Sequence, residues 1–230
     1  MNYVGTELGL FRGAVRWKAY WSGVAKPFVR GAILDVGCGL GVNADHLWND
    51  RITAYTFLEP DAALLARVPE NVKTVTSIRK EFIHGTTMDL TGGSFDTLLY
   101  IDVLEHISES RAELGRAMEL LAPGGHLIIL VPAFQFLFSP FDTAIGHHRR
   151  YDRALLQAEL PAGLEQIHMR YMDSAGFLLS LGNKVLLRQG SPTPGQIGFW
   201  DRAIVPISQV TDKLVAHSFG RSLLSISRKV

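Results

Sequence analysis

The sequence predicts an α/β chain: a doubly wound, mostly parallel sheet of seven strands with helices on both faces and a helical insertion before the last strand. Two observations carry the prediction. From residue 31 to about residue 131, short apolar runs alternate with segments of helical periodicity, the pattern of a parallel sheet covered by helices. The first apolar run also opens directly into Gly37, Gly39 and Gly41, as a strand does when it turns sharply at a ligand site.

Strands are expected at 32–36, 54–58, 82–84, 95–101 and 126–131, each a short apolar run. The helix before the fifth has the clearest signals. Leu114, Ala117, Met118 and Leu121 recur at i, i+3, i+4 and i+7, Ser110 and Glu113 stand at capping-box spacing, and Pro123, Gly124 and Gly125 should stop it. A sixth strand is expected at 164–171 and a seventh at 222–227, with helix and loop between them. Gly190, Pro192, Pro194, Gly195 and Gly198 mark a loop over 188–198 inside that excursion, and excursions of this length usually carry function or an interface.

At 230 residues, 47% hydrophobic and 20% charged, the chain can bury one sizeable core and is too apolar for a disordered tail. Cys38 is the sole cysteine, which excludes a disulfide scaffold and a cysteine zinc site and points to the reducing cytoplasm. Lys and Arg number 23 against 22 Asp and Glu, so a net charge of +1 gives no global attraction for a polyanion, and nucleic acid is disfavoured. The N-terminus interleaves Phe11, Arg12, Arg16 and Lys18 with Trp17, Tyr20 and Trp21, unlike a secretory signal. The longest apolar stretch, 127–138, is well short of the roughly 20 residues of a bilayer span, so no transmembrane segment is expected.

Glycine spacing alone does not choose a ligand, because Gly39, Gly41 and Ala44 also satisfy the G-x-G-x-x-A pattern of dinucleotide binders. Asp35 favours one. A carboxylate just ahead of Gly37 would repel a pyrophosphate on the turn but suits a cofactor bearing an ammonium or sulfonium group. Glu59 ends the second expected strand, where its two oxygens can accept from both hydroxyls of a ribose. Alone, Asp35 reads equally as a capping carboxylate and Glu59 as a solvated strand end; together they favour a nucleoside.

These residues resemble the class I S-adenosylmethionine-dependent methyltransferases. The match runs through Ile33-Leu34-Asp35-Val36-Gly37-Cys38-Gly39-Leu40-Gly41, Leu58-Glu59-Pro60-Asp61, residues 94–107 with Asp102, Glu105 and His106, and Leu121-Ala122-Pro123-Gly124-Gly125-His126-Leu127. The later chain resembles a bacterial subgroup sharing a Gly-His-x-Arg-Arg-Tyr segment, here Gly146 to Tyr151. The resemblance implies a Rossmann-like fold, S-adenosylmethionine as cofactor and S-adenosylhomocysteine as product. It assigns Asp35, Gly37, Gly39 and Gly41 to the methionine moiety, Glu59 to the ribose, Thr86 and Thr87 to the adenine, and Asp102 to the amino-acid end. Many relatives carry an acidic residue after the glycine of strand three, whereas Gly85 is followed by Thr86 and Thr87; Asp89 or a backbone carbonyl would then accept from the adenine amino group. The expected organisation is one methyltransferase domain, 1–230, with a helical lid (1–30), a cofactor-binding core (31–171), a helical insertion (172–220) and a final strand (221–230).

Asp102, Glu105 and His106 follow the fourth strand, at the edge where open α/β sheets bind ligands, although Glu105 and His106 read equally as the start of a solvated helix. Asp96, at the other end of that strand, reads as structural. The segment 139–151 follows the fifth strand and should lie beside the same edge. His147 is the candidate catalytic residue, a general base toward a hydroxyl or amine; the competing reading pairs His147, His148, Arg149 and Arg150 with Asp142 and Asp152 to fix a loop. Trp17, Tyr20 and Trp21 share one helical face, as core or as lid, while His84 and His168 read as packed or exposed without chemistry and Cys38 as a small filler.

In the insertion, Phe177, Leu178, Leu179, Leu181, Val185, Leu186, Leu187, Phe199 and Trp200 need covering, by a homodimer contact, a substrate roof or a peripheral membrane face, in that order. Histidine and carboxylate spacings assemble no recognisable ligand set, so no metal is expected. The expected reaction is methyl transfer to an O, N or C nucleophile of a small molecule, driven by alignment and exclusion of water. The alternatives are an NAD(P)-dependent oxidoreductase and a non-catalytic scaffold that binds a nucleoside cofactor.

Overall fold

A computed structural model describes residues 9, 11–73, 78–183 and 193–230. At its centre is a seven-stranded sheet in the order β3-β2-β1-β4-β5-β7-β6. The strands are β1 (Gly31–Val36), β2 (Ile52–Glu59), β3 (Arg79–His84), β4 (Phe95–Ile101), β5 (Leu121–Pro132), β6 (Leu164–Met172) and β7 (Ser222–Lys229). Pairs among β1 to β5 are parallel, and β7 runs antiparallel to both β5 and β6. The chain winds one way from β1 to β3 and the other way from β4 onward. A crevice therefore opens between the carboxyl ends of β1 and β4, where such sheets seat their ligands.

Ten α-helices cover the sheet among the described residues: α1 (Val15–Ala25), α2 (Asn43–Leu47), α3 (Ala62–Leu65), α4 (Val68–Asn71), α5 (Ser110–Leu120), α6 (Pro140–Ala144), α7 (Arg153–Glu159), α8 (Ser174–Gly182), α9 (Pro194–Phe199) and α10 (Val205–Leu214). The central strands pack on both faces, which is why their sequences are nearly continuous apolar runs. Alternate residues sort to opposite layers: Ile33, Leu99 and Ile128 meet Trp21 and Leu47, while Leu34, Leu98 and Ile129 meet Leu114 and Ala117. Each such side chain, fully buried, contributes about 1.5–3 kcal/mol.

Several expectations at element ends are corrected. The sequence places the end of α5 at the Pro-Gly-Gly turn, but Leu121 already pairs with Phe95 as the first residue of β5, and the register shifts before Thr97 meets His126. The Ser110–Glu113 capping box does not form: Glu109 holds the N-cap position without a side-chain bond. Ser110 instead donates to Glu159 at 2.9 Å, and Glu113 accepts from Thr87 and Tyr100 at 2.8 and 2.7 Å. Tertiary partners outbid the local cap. Within the expected loop over 188–198, residues from 193 onward form α9, capped by Thr193; Val185, Leu186 and Leu187 lie outside the described residues. Asp96 is structural, accepting the Ala32 N–H at 2.8 Å.

The insertion is fastened to α1 by buried carboxylates. No side chain of its own caps the N-terminus of α1, so Arg16 and Trp17 donate their backbone N–H groups to Asp201 at 3.2 and 2.8 Å. Asp212 accepts from the Tyr20 hydroxyl at 2.9 Å and from the backbone of Asp173 and Ser174. Trp17 and Trp21 are buried in the core and also line the cavity over the crevice. One face of α10 stays open to solvent, with Ile207, Val210 and Leu214 exposed at 50%, 61% and 79%.

Candidate active site

The turn after β1 is shaped by three glycines with positive φ: Gly37 (+60°), Gly39 (+57°) and Gly41 (+72°). They divide the work. Gly37 and Gly39 line the cavity over the crevice, whereas a Cβ on Gly41 would come within 2.6 Å of Val68, so Gly41 serves close packing. Glu59 closes β2 beneath the turn, accepting the Gly39 N–H at 2.8 Å and the Asp61 N–H at 3.0 Å, one on each oxygen. Each oxygen keeps a lone pair for a further donor.

Asp35 does not present the charge expected of it. It is 1% exposed, stands behind the turn outside the cavity lining, and accepts the Tyr55 hydroxyl at 3.0 Å. Burial pushes its carboxyl up to about 7. Asp102, which follows β4 with a left-handed φ of 55°, lines the cavity next to Ile101. Asp102 is open to the cavity yet surrounded by protein; that enclosure pushes its carboxyl up to about 6, against the pull of His147, Lys18 and Arg221. Thr86 and Thr87 sit beyond β3 and outside the lining. Thr86 donates to Asp89 at 2.8 Å, and the Thr87 hydroxyl is buried against Glu113, so neither hydroxyl proton is available to an adenine.

The far wall is built by segments after β4 and β5. Asp142 is fully buried: one oxygen accepts from His147 Nδ1 at 2.9 Å and Arg150 Nε at 2.8 Å, the other from Ser139 and Arg150 Nη2. Burial would raise this carboxyl, but the bonds from His147, Arg150 and Ser139 hold it well below the usual carboxylate range. An ionised Asp142 can only accept, so Nδ1 of His147 donates to it, and in the neutral ring the lone pair is then on Nε2. That nitrogen lies on the cavity side, 3.8 Å from a Glu105 oxygen. The contacts of His147 and Arg150 with Asp142 are those of the loop-fixing reading, with a correction: Arg149 bonds Glu159, Ser110 and Ser108, and Asp152 caps α7.

Glu105, in a short turn after β4, is 1% exposed, and neither of its oxygens receives a hydrogen bond. Burial, then the neighbouring Asp102 charge, push its carboxyl well above the usual range. Its folded value exceeds the unfolded one, so stability falls as pH rises through the unfolded value of about 4.3. Glu105→Gln is therefore expected to raise the melting temperature at pH 8 by several degrees, at about 2–4 °C per kcal/mol, and to leave it unchanged at pH 4. Equal melting of both proteins at pH 8 would show a Glu105 charge compensated by its neighbours. His106 stacks edge-on to His147 with centroids 4.5 Å apart. Glu105, His106 and His147 each bring one ligand-type atom within 4.8 Å of the others, a grouping hidden from the sequence because the fold, not spacing, assembles it.

Sequence reasoning missed two further lining residues, Lys18 and Arg221. Lys18 follows directly on Trp17 in the lid helix and donates to the Phe11 carbonyl; burial lowers its ammonium to about 8. Arg221 immediately precedes β7. A lone basic residue beside a lid face or a strand start carries no recognisable pattern.

A methyltransferase-domain family model matches residues 12–179, and the chain belongs to that family. Similar curated proteins include the mitochondrial ubiquinone biosynthesis O-methyltransferase of Schizosaccharomyces pombe, 31% identical over 50% of this chain and 43% of that one. The ubiquinone biosynthesis O-methyltransferase of Azorhizobium caulinodans is 28% identical over 64% of this chain and 59% of its own length. The chain thus spans less than two thirds of either relative. Among solved structures, the [4+2]-cyclase SpnF superposes with a TM-score of 0.63 at 19% identity, covering 98% of this chain and 94% of that one. The N-methyltransferase NodS of Bradyrhizobium japonicum, solved with S-adenosylhomocysteine, gives 0.56 at 14% identity over 94% and 85%. At these identities the two structures share the fold.

The residues present fit S-adenosylmethionine. Gly37 leaves the turn bare where a Cβ would sit 2.9 Å from Val103, Asp102 lines the cavity with a carboxylate, and Glu59, beneath the turn and outside the lining, keeps a lone pair on each oxygen. Among the described residues, no helix is long and apolar enough to cross a membrane.

Proposed function

We propose that the chain methylates an O, N or C nucleophile of a small molecule held in the cavity between the glycine turn and His147. The observation that carries this reading is a single cavity lined at one end by Gly37 and Gly39 and at the other by a histidine whose free nitrogen is set by Asp142. The bound cofactor supplies an activated methyl group and its leaving sulfur. The chain supplies the rest. Glu59 holds the ribose, Gly37 and Gly39 admit the methionine portion, and Asp102 faces its ammonium. Trp17, Trp21 and Trp200 exclude water, and His147 Nε2 takes the proton from a protonated acceptor. For the adenine, the backbone around Thr86 and Thr87 is the nearest contact in this reading, because their hydroxyl protons are engaged.

The small, mostly apolar enclosure supports a small acceptor over nucleic acid, and the lone cysteine supports a cytoplasmic enzyme. Self-association is the natural cover for the exposed face of α10. Calorimetry with S-adenosylmethionine, S-adenosylhomocysteine and NAD tests the reading. The first two should bind saturably and NAD should not; NAD binding alone would restore the oxidoreductase alternative.

A pH titration of binding adds a finer test. Binding a cation favours the ionised form of Asp102, so affinity for S-adenosylmethionine should rise as pH increases through about 6. The expected gain between pH 5 and pH 7.5 is roughly tenfold, and Asp102→Asn should abolish it. A profile that stays flat in the wild type contradicts the assigned role of Asp102.

A further inference from the structure

Arg221 stands at the acceptor end of the cavity with no anion to hold. Its backbone N–H donates to the Asp173 carbonyl at 3.1 Å, which fixes the start of β7. Its guanidinium carbon lies 4.9 Å from the centroid of Trp200 and 5.9 Å from that of Phe11, so its planar face is supported by aromatic rings. Among the described residues the guanidinium makes no side-chain hydrogen bond or ion pair, although it is enclosed enough for burial to lower its pKa.

Of the other lining cations, Arg12 is exposed, while Arg150 and Lys18 are engaged. Arg150 gives Nε and Nη2 to Asp142, and Lys18 donates to the Phe11 carbonyl. Nearby carboxylates are engaged as well. Asp173 accepts from Gly176, Trp200 and Ser208, and Asp142 is filled by His147, Arg150 and Ser139. Asp102 attracts Arg221 at a distance without pairing. A half-buried guanidinium that lines the cavity with unused donors is placed to receive an anionic ligand.

Strand order separates Arg221 from the glycine turn, though not from Asp102. The glycine turn follows β1, and β7 is three places away across β4 and β5, about 14 Å at the usual interstrand spacing. Arg221 is thus remote from the cofactor turn and shares its end of the cavity with Pro132 and Ser222. We propose that Arg221 anchors a carboxylate of the methyl acceptor, so that the substrates are small organic acids carrying a hydroxyl or amine. The guanidinium fork accepts a carboxylate in bidentate fashion, with its stem and plane already placed by Trp200 and Phe11. Fixing the acid at β7 leaves the nucleophilic end of the same molecule to reach toward His147 and the methyl group.

This inference rests on the cavity being the acceptor site, and the test separates the two. Protein saturated with S-adenosylhomocysteine is titrated calorimetrically with salicylate, lactate and anthranilate, each beside its primary amide, in the wild type, Arg221→Met and Arg221→Lys. At least one acid should bind ten or more times tighter than its amide in the wild type. Arg221→Met should erase that preference and Arg221→Lys should retain part of it, with affinity for S-adenosylhomocysteine within twofold in all three proteins. Thermal melting confirms that each variant is folded, and Arg221→Lys carries the comparison if Arg221→Met is not. Acids that bind no tighter than their amides, or do not bind at all, overturn the proposal. So does a variant that loses S-adenosylhomocysteine while keeping the acid preference, which would give Arg221 to the carboxylate of the cofactor. Failure of the wild type to bind S-adenosylhomocysteine would instead overturn the function proposed above.

Discussion

His147→Asn is expected to lower kcat for a hydroxyl or amine acceptor by roughly 10²–10⁴-fold, the usual contribution of a positioned general base. Affinity for S-adenosylhomocysteine should change by less than about threefold, because His147 faces the acceptor side and the glycine turn binds independently of it. Asp142→Asn should have a smaller effect on the same parameter, since the imidazole remains in place but loses the partner that fixes its tautomer. The pH profile discriminates catalysis from scaffolding. A base gives a limb in wild-type kcat that disappears in the variant, whereas a structural histidine leaves the limb and lowers stability. Zinc should inhibit the wild type reversibly, because Glu105, His106 and His147 could capture it on the nitrogen that must take the proton. Unchanged turnover in His147→Asn would restrict the enzyme to carbon or already deprotonated nucleophiles.

Glu59→Ala is the second large effect. Hydrogen bonds from two ribose hydroxyls to a partly buried carboxylate are charge-assisted, each contributing about 1.5–3 kcal/mol. Their loss should weaken S-adenosylhomocysteine by roughly 100-fold or more. Burial, opposed by the Asp61 and Gly39 backbone bonds, raises the Glu59 carboxyl above its ordinary range, and donors from a ribose would favour its ionised form. Glu59→Gln keeps the shape and one acceptor oxygen and should lose about tenfold. Because Glu59 also holds Gly39 and Asp61, one on each oxygen, and the amide nitrogen of Gln would face one of these donors, melting curves of both variants are needed to separate lost binding from collapse of the turn.

The sheet and the cofactor edge were legible because they rest on short-range patterns. A strand running into Gly37, Gly39 and Gly41 and an acid closing the next strand are local facts, and both stand where the pattern placed them. Burial was the physical term the sequence could not show. Asp35 has the right position for a charge facing the cofactor, yet it lies under Tyr55 behind the turn, where burial raises its carboxyl to about 7, while Asp102 lines the cavity. Competition between partners was the second hidden term. Ser110 and Glu113 have capping-box spacing but find stronger partners on α7, on β4 and beyond β3. The grouping of Glu105 with His147, and the arrival of Lys18 and Arg221 at the cavity, depend on contacts between segments far apart in the chain. Periodicity has no reach there.

The most direct test of the whole account is a crystal structure with S-adenosylhomocysteine bound. It should show both ribose hydroxyls on the Glu59 carboxylate, the amino group beside Asp102, and the sulfur turned toward the space in front of His147. A ribose elsewhere than at Glu59, or a sulfur walled off from His147 by the lid, would contradict the account.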